Sequence, residues 1–423
     1  METPRFDPGN TATETSGGLG LDRRQLLGGL AAAALTGPSA LGAGAHLGPA
    51  GGAPRDPQEP EPSPRTRRVV LIAFAGGVRT RETFGSADNV PNLKKLAQRG
   101  VLYPRMRSSN LGHFGAALAM FTGVAEQRGI RENQRGDQPT LFEYLRKDLQ
   151  FAAGDVWIAT SGGAQQTNYS YGLHPKYGAR FGANTLDSDG IFNAEFRGLV
   201  EHWGRPTRRS AAEQAALARM RRALRGGGEA GAAEGEGRGR AADASALNDH
   251  DSAARVEQYI LDELTRGTAE ISGPNAADAK ALRTARNLLA VFKPRVVAVV
   301  LQQADAAHGS FNAYAEIVRR NDEAIGELVA AIEADRELAG TTAIFVAPEF
   351  GRDRDLNSRR GLDHGDGSDD LNYVAGVAVG PEFRRGVTVE DEVAVVDLCP
   401  TVCSLLGAEA RLSKGRKLPK LLA

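Results

Sequence analysis

The 423-residue sequence has only two cysteines, no excess of charge of either sign and no long apolar segment. Two cysteines cannot form a disulfide framework or a four-thiolate zinc site. Its 52 basic and 52 acidic residues balance, so nothing indicates a nucleic-acid-binding surface or an acidic tail. No apolar run approaches the ~20 residues of a membrane span, which excludes a polytopic membrane protein. A Gly-x-Gly-x-x-Gly turn is also missing after the first predicted strand, so a dinucleotide-binding oxidoreductase is not indicated.

The first 45 residues resemble a twin-arginine export signal. Arg23 and Arg24 precede a short Ala- and Leu-rich stretch at residues 26–35. Residues 43–45 (Ala-Gly-Ala) then fit the small-x-small pattern of a signal-peptidase site. We therefore expect the twin-arginine translocase as a partner in export and a periplasmic or extracellular location. A disordered N-terminus that carries an arginine pair by chance is the alternative.

Two low-complexity segments define the limits of the predicted domain. Residues 46–66 are rich in proline, glycine and charge, which is typical of an extended linker. A second biased segment, composed almost entirely of Gly, Ala, Glu and Arg, lies within a predicted insertion at about residues 206–250. The remainder, residues 67–423, is predicted to form one domain that this exposed insertion interrupts.

Short apolar runs alternate with helical patterns along the domain. The predicted strands are residues 69–74, 156–160, 296–301, 342–346 and 374–379. The predicted helices are residues 91–100, 114–121, 140–147, 254–266, 277–292 and 314–334. This alternation predicts an α/β fold with a mostly parallel, doubly wound sheet and helices on both faces. In such sheets ligands bind beyond the carboxyl ends of the strands.

Acidic residues and histidines follow the last predicted strands. Asp305 and His308 come after the third predicted strand, and Glu349 comes after the fourth. Asp363 and His364 lie in a glycine-flanked loop before the fifth. Each residue alone could be an ordinary surface acid or histidine. Because their strand ends share one edge of the sheet, the group predicts a common metal or anion site.

Three further basic residues lie nearer the N-terminus. Arg79 and Arg81 follow the Gly-Gly pair at residues 76–77, which allows close backbone approach to a ligand. A plain turn with solvated charges is the alternative. His113 immediately precedes the predicted helix 114–121, where backbone N–H groups could bind an anion. A simple capping role for His113 is the alternative there.

Several motifs, in the same chain order, resemble those of the alkaline phosphatase/sulfatase superfamily. They are the helix at residues 91–101, Thr-Gly at 122–123, and the segments 140–145, 321–328 and 396–401. The resemblance covers about residues 68–407 and implies an alkaline phosphatase-like fold. It also implies a divalent metal, with zinc as the first expectation and calcium or manganese as alternatives.

Within this superfamily the sequence resembles an exported branch of unknown function. The shared features are the Gly-Gly turn at residues 76–77, Asp305 with His308, the Glu-Phe-Gly-Arg at 349–352 and the Asp-His at 363–364. A twin-arginine signal is usual in that branch. The resemblance therefore agrees with the export signal read from the N-terminal residues.

The sequence also departs from the hydrolytic members of the superfamily. Their first metal-binding Asp is replaced by Ala75 or Gly76, and the place of their nucleophile is taken by His113. Their Asp-His-Gly is replaced by Glu-Phe-Gly at residues 349–351. The resemblance therefore implies one metal site rather than a two-metal displacement with an oxygen nucleophile.

Together these features predict an exported, metal-dependent hydrolase for a small anionic substrate such as a phosphate or sulfate ester. The metal ligands are predicted to be Asp305, His308, Asp363 and His364. His113 is predicted to act as an acid or nucleophile and Glu349 as a base or metal-shell residue, while the substrate charge is met by Arg79, Arg81 and Arg352. The competing hypothesis is a catalytically degenerate member that binds an envelope component as a scaffold.

Overall fold

The computed structural model describes residues 65–86, 88–125, 134–162, 168–187 and 271–421. The predicted export signal, most of the linker, the low-complexity insertion and the predicted helix 254–266 lie outside these residues. Among the described helices, none combines the length and the apolar character needed to cross a membrane.

A mixed β-sheet forms the centre of the described part of the chain. Its nine strands are β1 (Arg68–Phe74), β2 (Val101–Arg107), β3 (Val156–Thr160), β4 (Asn184–Leu186), β5 (Val296–Leu301), β6 (Thr342–Pro348), β7 (Tyr373–Val379), β8 (Val387–Thr388) and β9 (Val393–Ala394). The strand order is β4-β3-β5-β1-β6-β7-β2-β8, and β9 pairs with β2. The five neighbouring strands β4, β3, β5, β1 and β6 are parallel to one another, whereas β7 runs antiparallel to both of its neighbours, β6 and β2.

Helices cover both faces of this sheet. They are α1 (Pro91–Arg99), α2 (His113–Thr122), α3 (Leu141–Asp148), α4 (Ala276–Phe292), α5 (Phe311–Ala334), α6 (Asp369–Asn372) and α7 (Leu398–Leu405). Short 3-10 turns lie at Thr80–Glu82, Ala153–Asp155, Ala179–Phe181, Gln303–His308 and Val395–Asp397. The turn Gln303–His308 follows β5 and carries Asp305 and His308, two residues of the candidate site.

The residues of β1 show how the two layers of helices are held. Alternate side chains of a strand point to opposite faces, and those of β1 enter two separate hydrophobic clusters. One cluster also contains residues of α2, α3 and α7, and the other contains residues of α1, α4 and α5. Every residue of β1 is buried, as expected for a central strand covered on both faces. The doubly wound α/β architecture expected from the sequence is confirmed.

The sequence patterns located most of the longer elements, but they did not predict the strands β2, β4, β8 and β9. All five predicted strands are present, and five of the six predicted helices are present with ends that differ by at most a few residues. In β2, Pro104 and the charged side chains beside it interrupt the apolar pattern, and proline is disfavoured inside a sheet. The pairing of β2 with β7 is accordingly irregular between Tyr103 and Met106.

A buried carboxylate on α5 determines where α1 begins. Asp322 is completely buried, and its two oxygens accept hydrogen bonds from the backbone N–H groups of Asn92 (2.9 Å) and Leu93 (2.8 Å). The Asn92 side chain donates a further bond to the same carboxylate. The first N–H groups of a helix have no partner within the helix, so this long-range cap satisfies them. The Asn-Asp pair at residues 321–322 therefore has a structural role.

We predict that Asp322→Ala lowers the free energy of unfolding by about 2–3 kcal/mol, because the buried N–H groups of α1 lose their acceptor. Urea denaturation followed by circular dichroism measures this change. The matched control is Glu323→Ala, which removes the neighbouring exposed carboxylate of the same helix and should leave the midpoint almost unchanged. Equal midpoints for the two variants would contradict the assigned role of Asp322.

Candidate metal centre

Three central strands end at the same edge of the sheet. The register places Phe74, the last residue of β1, beside Leu301 of β5 and Pro348 of β6. Because these strands are parallel, the segments that follow them begin side by side. β2 is antiparallel to β7, which is antiparallel to β6, so β2 also ends at this edge and leads into α2. Four chain segments thus converge beyond the sheet.

The convergence brings together four side chains with metal-binding chemistry. One candidate ligand atom from each lies within 4.8 Å of the others, and the four residues are His113, Asp305, His308 and His364. We call this group the histidine cluster. Three imidazoles and one carboxylate form a donor set that suits a single divalent cation such as zinc. Its members are only partly buried, so the cluster can be reached from solvent.

His113 is the first residue of α2, and its ring is held by hydrogen bonds at Nδ1. Nδ1 lies 2.5 Å from Oε1 of Glu349 and 3.1 Å from the carbonyl oxygen of Ala75. Nε2 lies 3.0 Å from Oδ1 of Asp305. The carboxylate at Nδ1 keeps the proton on that nitrogen and directs Nε2 into the cluster, which is the usual arrangement of a metal-binding histidine.

His308 repeats this arrangement from another segment. It ends the 3-10 turn after β5, and its Nδ1 lies 2.5 Å from Oδ1 of Asp363. Its Nε2 lies 3.3 Å from Oδ1 of Asp305, the same oxygen that His113 approaches. Two imidazoles from different segments therefore present Nε2 to one carboxylate oxygen, and each has its own acid at Nδ1.

His364 completes the cluster through ring contacts. Its ring centroid lies 4.9 Å from that of His113, 5.0 Å from that of His308 and 5.1 Å from that of Phe350. Phe350 also packs 4.9 Å from His113 and forms an apolar wall behind both rings. Burial lowers the pKa of His364 to about 4, and the positive charges of His113 and Arg352 contribute. His364 is thus neutral at physiological pH, the form that binds metals.

The buried acids and His113 influence each other strongly. Burial lowers the pKa of His113, but the carboxylates of Glu349 and Asp305 outweigh this effect and raise the pKa to about 9. Burial raises the pKa of Glu349, which His113 opposes. Burial also opposes ionisation of Asp305, yet His113 and Arg352 hold the pKa of this carboxyl well below its usual range. In the metal-free protein the carboxylate of Asp305 is therefore paired with the imidazolium of His113 and the guanidinium of Arg352, and a metal ion bound by Nε2 of His113 would displace the proton of that imidazolium.

Arg352 is completely buried beside the cluster. Its Nη2 donates to Oδ1 of Asp305 (2.5 Å) and to the carbonyl oxygen of Gly76. Its Nη1 donates to Nε2 of His308 (3.1 Å) and its Nε to the carbonyl oxygen of Gly77 (3.3 Å). This predicted substrate-binding arginine thus contacts protein groups on several sides.

The other two predicted substrate-binding arginines lie in different surroundings. Arg79 is buried, forms a two-point ion pair with Glu82, and donates to the carbonyl oxygens of Asp353 and Arg354. Arg79 therefore supports the loop that follows Arg352. Arg81 is about half exposed and forms an ion pair with Asp370. Of the three arginines, Arg81 is the one that solvent reaches.

A buried acid on α4 positions the turn that carries Asp305 and His308. Asp278 is completely buried, and its Oδ1 accepts the backbone N–H groups of Gln302 (3.0 Å) and Gln303 (3.2 Å). Its Oδ2 accepts the side-chain amide of Asn321 (2.8 Å). No sequence pattern indicates this role, since an acid in the first turn of a helix usually acts as a local cap. Phe350, in contrast, belongs to the Glu-Phe-Gly-Arg motif that the sequence analysis identified.

A family model described as "Protein of unknown function (DUF1501)" matches residues 49–415 of the chain. No curated protein matches the sequence.

Solved structures with a similar fold belong to the alkaline phosphatase/sulfatase superfamily. Wild-type alkaline phosphatase PafA is 10% identical and has a TM-score of 0.52, and the match covers 86% of this chain and 100% of that chain. A putative sulfatase from Bacteroides thetaiotaomicron VPI-5482 is 9% identical with a TM-score of 0.51, and the match covers 84% of this chain and 74% of that chain. At such low identity these similarities show the fold alone. The chain has an alkaline phosphatase-like α/β fold.

We predict that Asp278→Ala lowers the free energy of unfolding by about 1–3 kcal/mol, because two buried N–H groups lose their acceptor. Hydrogen exchange should also accelerate at Gln302 and Gln303 more than at the core of β1. Lys280→Ala on the same helix is the control and should change neither quantity. Unchanged exchange in the turn of the Asp278→Ala variant would contradict the positioning role.

Proposed function

The chain belongs to the DUF1501 family, and we propose that it is an exported, metal-dependent hydrolase for a small anionic ester such as a phosphate or sulfate ester. Support comes from the position of the histidine cluster at the carboxyl edge of an alkaline phosphatase-like sheet. The single observation that carries the proposal is the repeated pairing of a histidine Nδ1 with a carboxylate, while Nε2 faces the cluster. A scaffold without a ligand has no physical need for this arrangement.

The proposed metal ligands are the four members of the histidine cluster, namely His113, Asp305, His308 and His364. A divalent cation held there would supply a Lewis acid that polarises the ester and lowers the pKa of water. Zinc suits the donor set best, because three imidazoles and a carboxylate are common zinc ligands. Calcium is less well suited, since it prefers six to eight oxygen ligands.

The acids behind the histidines receive different roles from those expected from the sequence. Glu349 is completely buried and uses Oε1 to hold Nδ1 of His113, so we assign it to orienting that ring. Asp363 holds Nδ1 of His308 in the same way. His113 becomes a ligand in this proposal rather than a nucleophile, because Glu349 holds Nδ1 and leaves Nε2, which is buried with no hydrogen-bond partner among the described residues, facing the cluster. Of these two acids, Asp363 is partly exposed and Glu349 is not.

The anionic part of the substrate is proposed to meet Arg81. The ion pair of Arg81 with Asp370 places it beside α6, whose residue Leu371 accepts the backbone N–H of Gly351. Arg81 therefore lies next to the loop that carries Glu349 and Arg352, with about half of its side chain exposed. A guanidinium in that position can pair with a phosphate or sulfate group by two parallel hydrogen bonds.

Export is part of the proposal and rests on residues outside the described part of the chain. We propose that residues 1–45 direct the protein to the twin-arginine translocase and that residues 46–66 form a linker. The mature protein would then work in the periplasm or outside the cell. Because this pathway transports folded proteins, the metal would be bound before export.

A catalytically inactive binding protein is the second candidate. One observation favours it: α2 begins with His113, where hydrolytic members of the resembled superfamily carry a hydroxyl or modified cysteine nucleophile. In that case the cluster would bind a metal, and the protein would recognise an envelope component without cleaving it. Metal binding together with a complete absence of turnover would favour this candidate.

The proposed function predicts about one equivalent of zinc or manganese in the protein purified after export. His308→Ala and His364→Ala should each lose most of this metal, since each removes one imidazole from the cluster. His174→Ala is the matched control, because His174 lies outside the cluster and should leave the metal content unchanged. Elemental mass spectrometry of the four proteins measures this.

The same proteins should then be assayed with aryl phosphate, aryl sulfate and phosphonate monoester substrates. Turnover is expected in the wild type and the His174→Ala variant and should fall at least about 100-fold in His308→Ala, as for loss of a group that holds a catalytic metal. Absence of metal from correctly folded wild-type protein would contradict the proposal. Turnover that persists in metal-free His308→Ala would contradict it as well.

A further inference from the structure

The guanidinium of Arg352 has five N–H groups, and the structure provides five acceptors for them. Nε donates to Gly77, Nη1 to His308 and to the carbonyl oxygen of Leu362 (3.4 Å), and Nη2 to Gly76 and Asp305. The side chain is completely buried. All donors are thus used within the protein, so this arginine is not free to bind a substrate.

The acceptors around Arg352 are those that a metal ion would use. They comprise three backbone carbonyl oxygens, one carboxylate oxygen and one imidazole nitrogen. They come from separate segments: the loop after β1, the turn Gln303–His308 and the loop that contains Leu362. The guanidinium at their centre offsets the negative charge of Asp305 and donates to the inward-pointing carbonyl oxygens, so it stabilises the convergence of these groups.

The two glycines after β1 make room for this arrangement. A Cβ on Gly76 would lie 2.5 Å from the carbonyl oxygen of Gln302 and 2.7 Å from the backbone nitrogen of Asp305. Gly77 has a φ of +64°, and a Cβ there would lie 2.9 Å from Nε of Arg352. The Gly-Gly turn and the arginine are therefore matched: the chain passes close enough for both carbonyl oxygens to accept from one guanidinium.

Asp305 connects Arg352 to the histidine cluster. Its Oδ1 lies 2.5 Å from Nη2 of Arg352, 3.0 Å from Nε2 of His113 and 3.3 Å from Nε2 of His308. A single carboxylate oxygen thus contacts the guanidinium and both imidazoles, and Nη1 of Arg352 also lies 3.1 Å from Nε2 of His308. The positive charge of Arg352 is therefore in direct contact with two members of the histidine cluster.

We propose that Arg352 is a built-in cation: its guanidinium takes the place of a second cation next to the histidine cluster, so that the site binds one divalent ion rather than two. The inference rests on the proposed function for the identity of the cluster as a metal site. Arg352 acts through Asp305 and His308 and is a positioning residue. It fixes the charge and the ligand geometry of the site permanently, independently of the supply of metal.

The test compares how many equivalents of metal the purified full-length variants bind. Zinc or manganese alone is titrated into metal-free wild type, Arg352→Lys, Arg352→Gln and the control Arg354→Gln, which removes an exposed charge from the same loop. Wild type, Arg352→Lys and Arg354→Gln should bind one equivalent. Arg352→Gln should bind two, because the carbonyl oxygens of Gly76, Gly77 and Leu362 and the carboxylate of Asp305 become available to a second ion, while Nε2 of His308 stays with the first.

A chemical rescue gives an independent readout. In Arg352→Ala, millimolar guanidinium chloride should raise the thermal midpoint and reduce metal uptake from two equivalents to one. The wild type should show neither effect, since its own guanidinium fills the site. Sodium chloride at equal ionic strength is the control for screening, and circular dichroism verifies that each variant is folded.

The outcomes separate this inference from the proposed function. One equivalent in every variant, with no effect of guanidinium, would overturn the inference and leave the proposed metal site intact. Metal uptake by Arg352→Gln without uptake by the wild type would support the built-in cation and refute the proposed function. No uptake by any variant would overturn both.

Discussion

Two completely buried charged side chains, Glu349 and Arg352, constrain the whole carboxyl edge of the sheet. Removing a charge from water costs several kcal/mol unless it is paired and hydrogen-bonded. Both residues lie in the four-residue segment after β6, but their partners come from other strand ends: His113 begins α2, and Asp305 follows β5. The pairing of Glu349 with His113 and of Arg352 with Asp305 therefore fixes the relative positions of α2, the turn after β5 and the segment after β6. The histidine cluster is a consequence of that pairing.

Most of the fold could be predicted because its central strands are buried on both faces. β1 and β5 appear as continuous apolar runs, and the long amphipathic pattern of α5 is equally clear. β2 could not be found in this way, since Pro104 and neighbouring charges conceal it. The antiparallel direction of β7 was also not predictable, because strand direction depends on the path of the connecting chain and not on the composition of the strand.

The sequence indicates which residues could share a site, but not their contacts. Asp305 and His308 after a strand and the Asp-His pair at residues 363–364 predict shared chemistry, whereas the structure groups His113, and not Asp363, with the other three. Which nitrogen faces the cluster depends on contacts such as His113 with Glu349, two residues that are 236 positions apart. The burial of Arg352 is likewise a tertiary property, and the sequence pattern alone does not indicate that this arginine pairs with Asp305 inside the protein.

The most direct test of this account is a crystal of the zinc-soaked protein measured on both sides of the zinc absorption edge. We predict one anomalous peak in the histidine cluster, at about 2.0–2.2 Å from nitrogens of His113, His308 and His364. The guanidinium of Arg352 should remain hydrogen-bonded to Asp305 and to the carbonyl oxygens of Gly76 and Gly77. Two peaks in the cluster, or a zinc ion bound only elsewhere, would contradict a one-metal site built around an internal arginine.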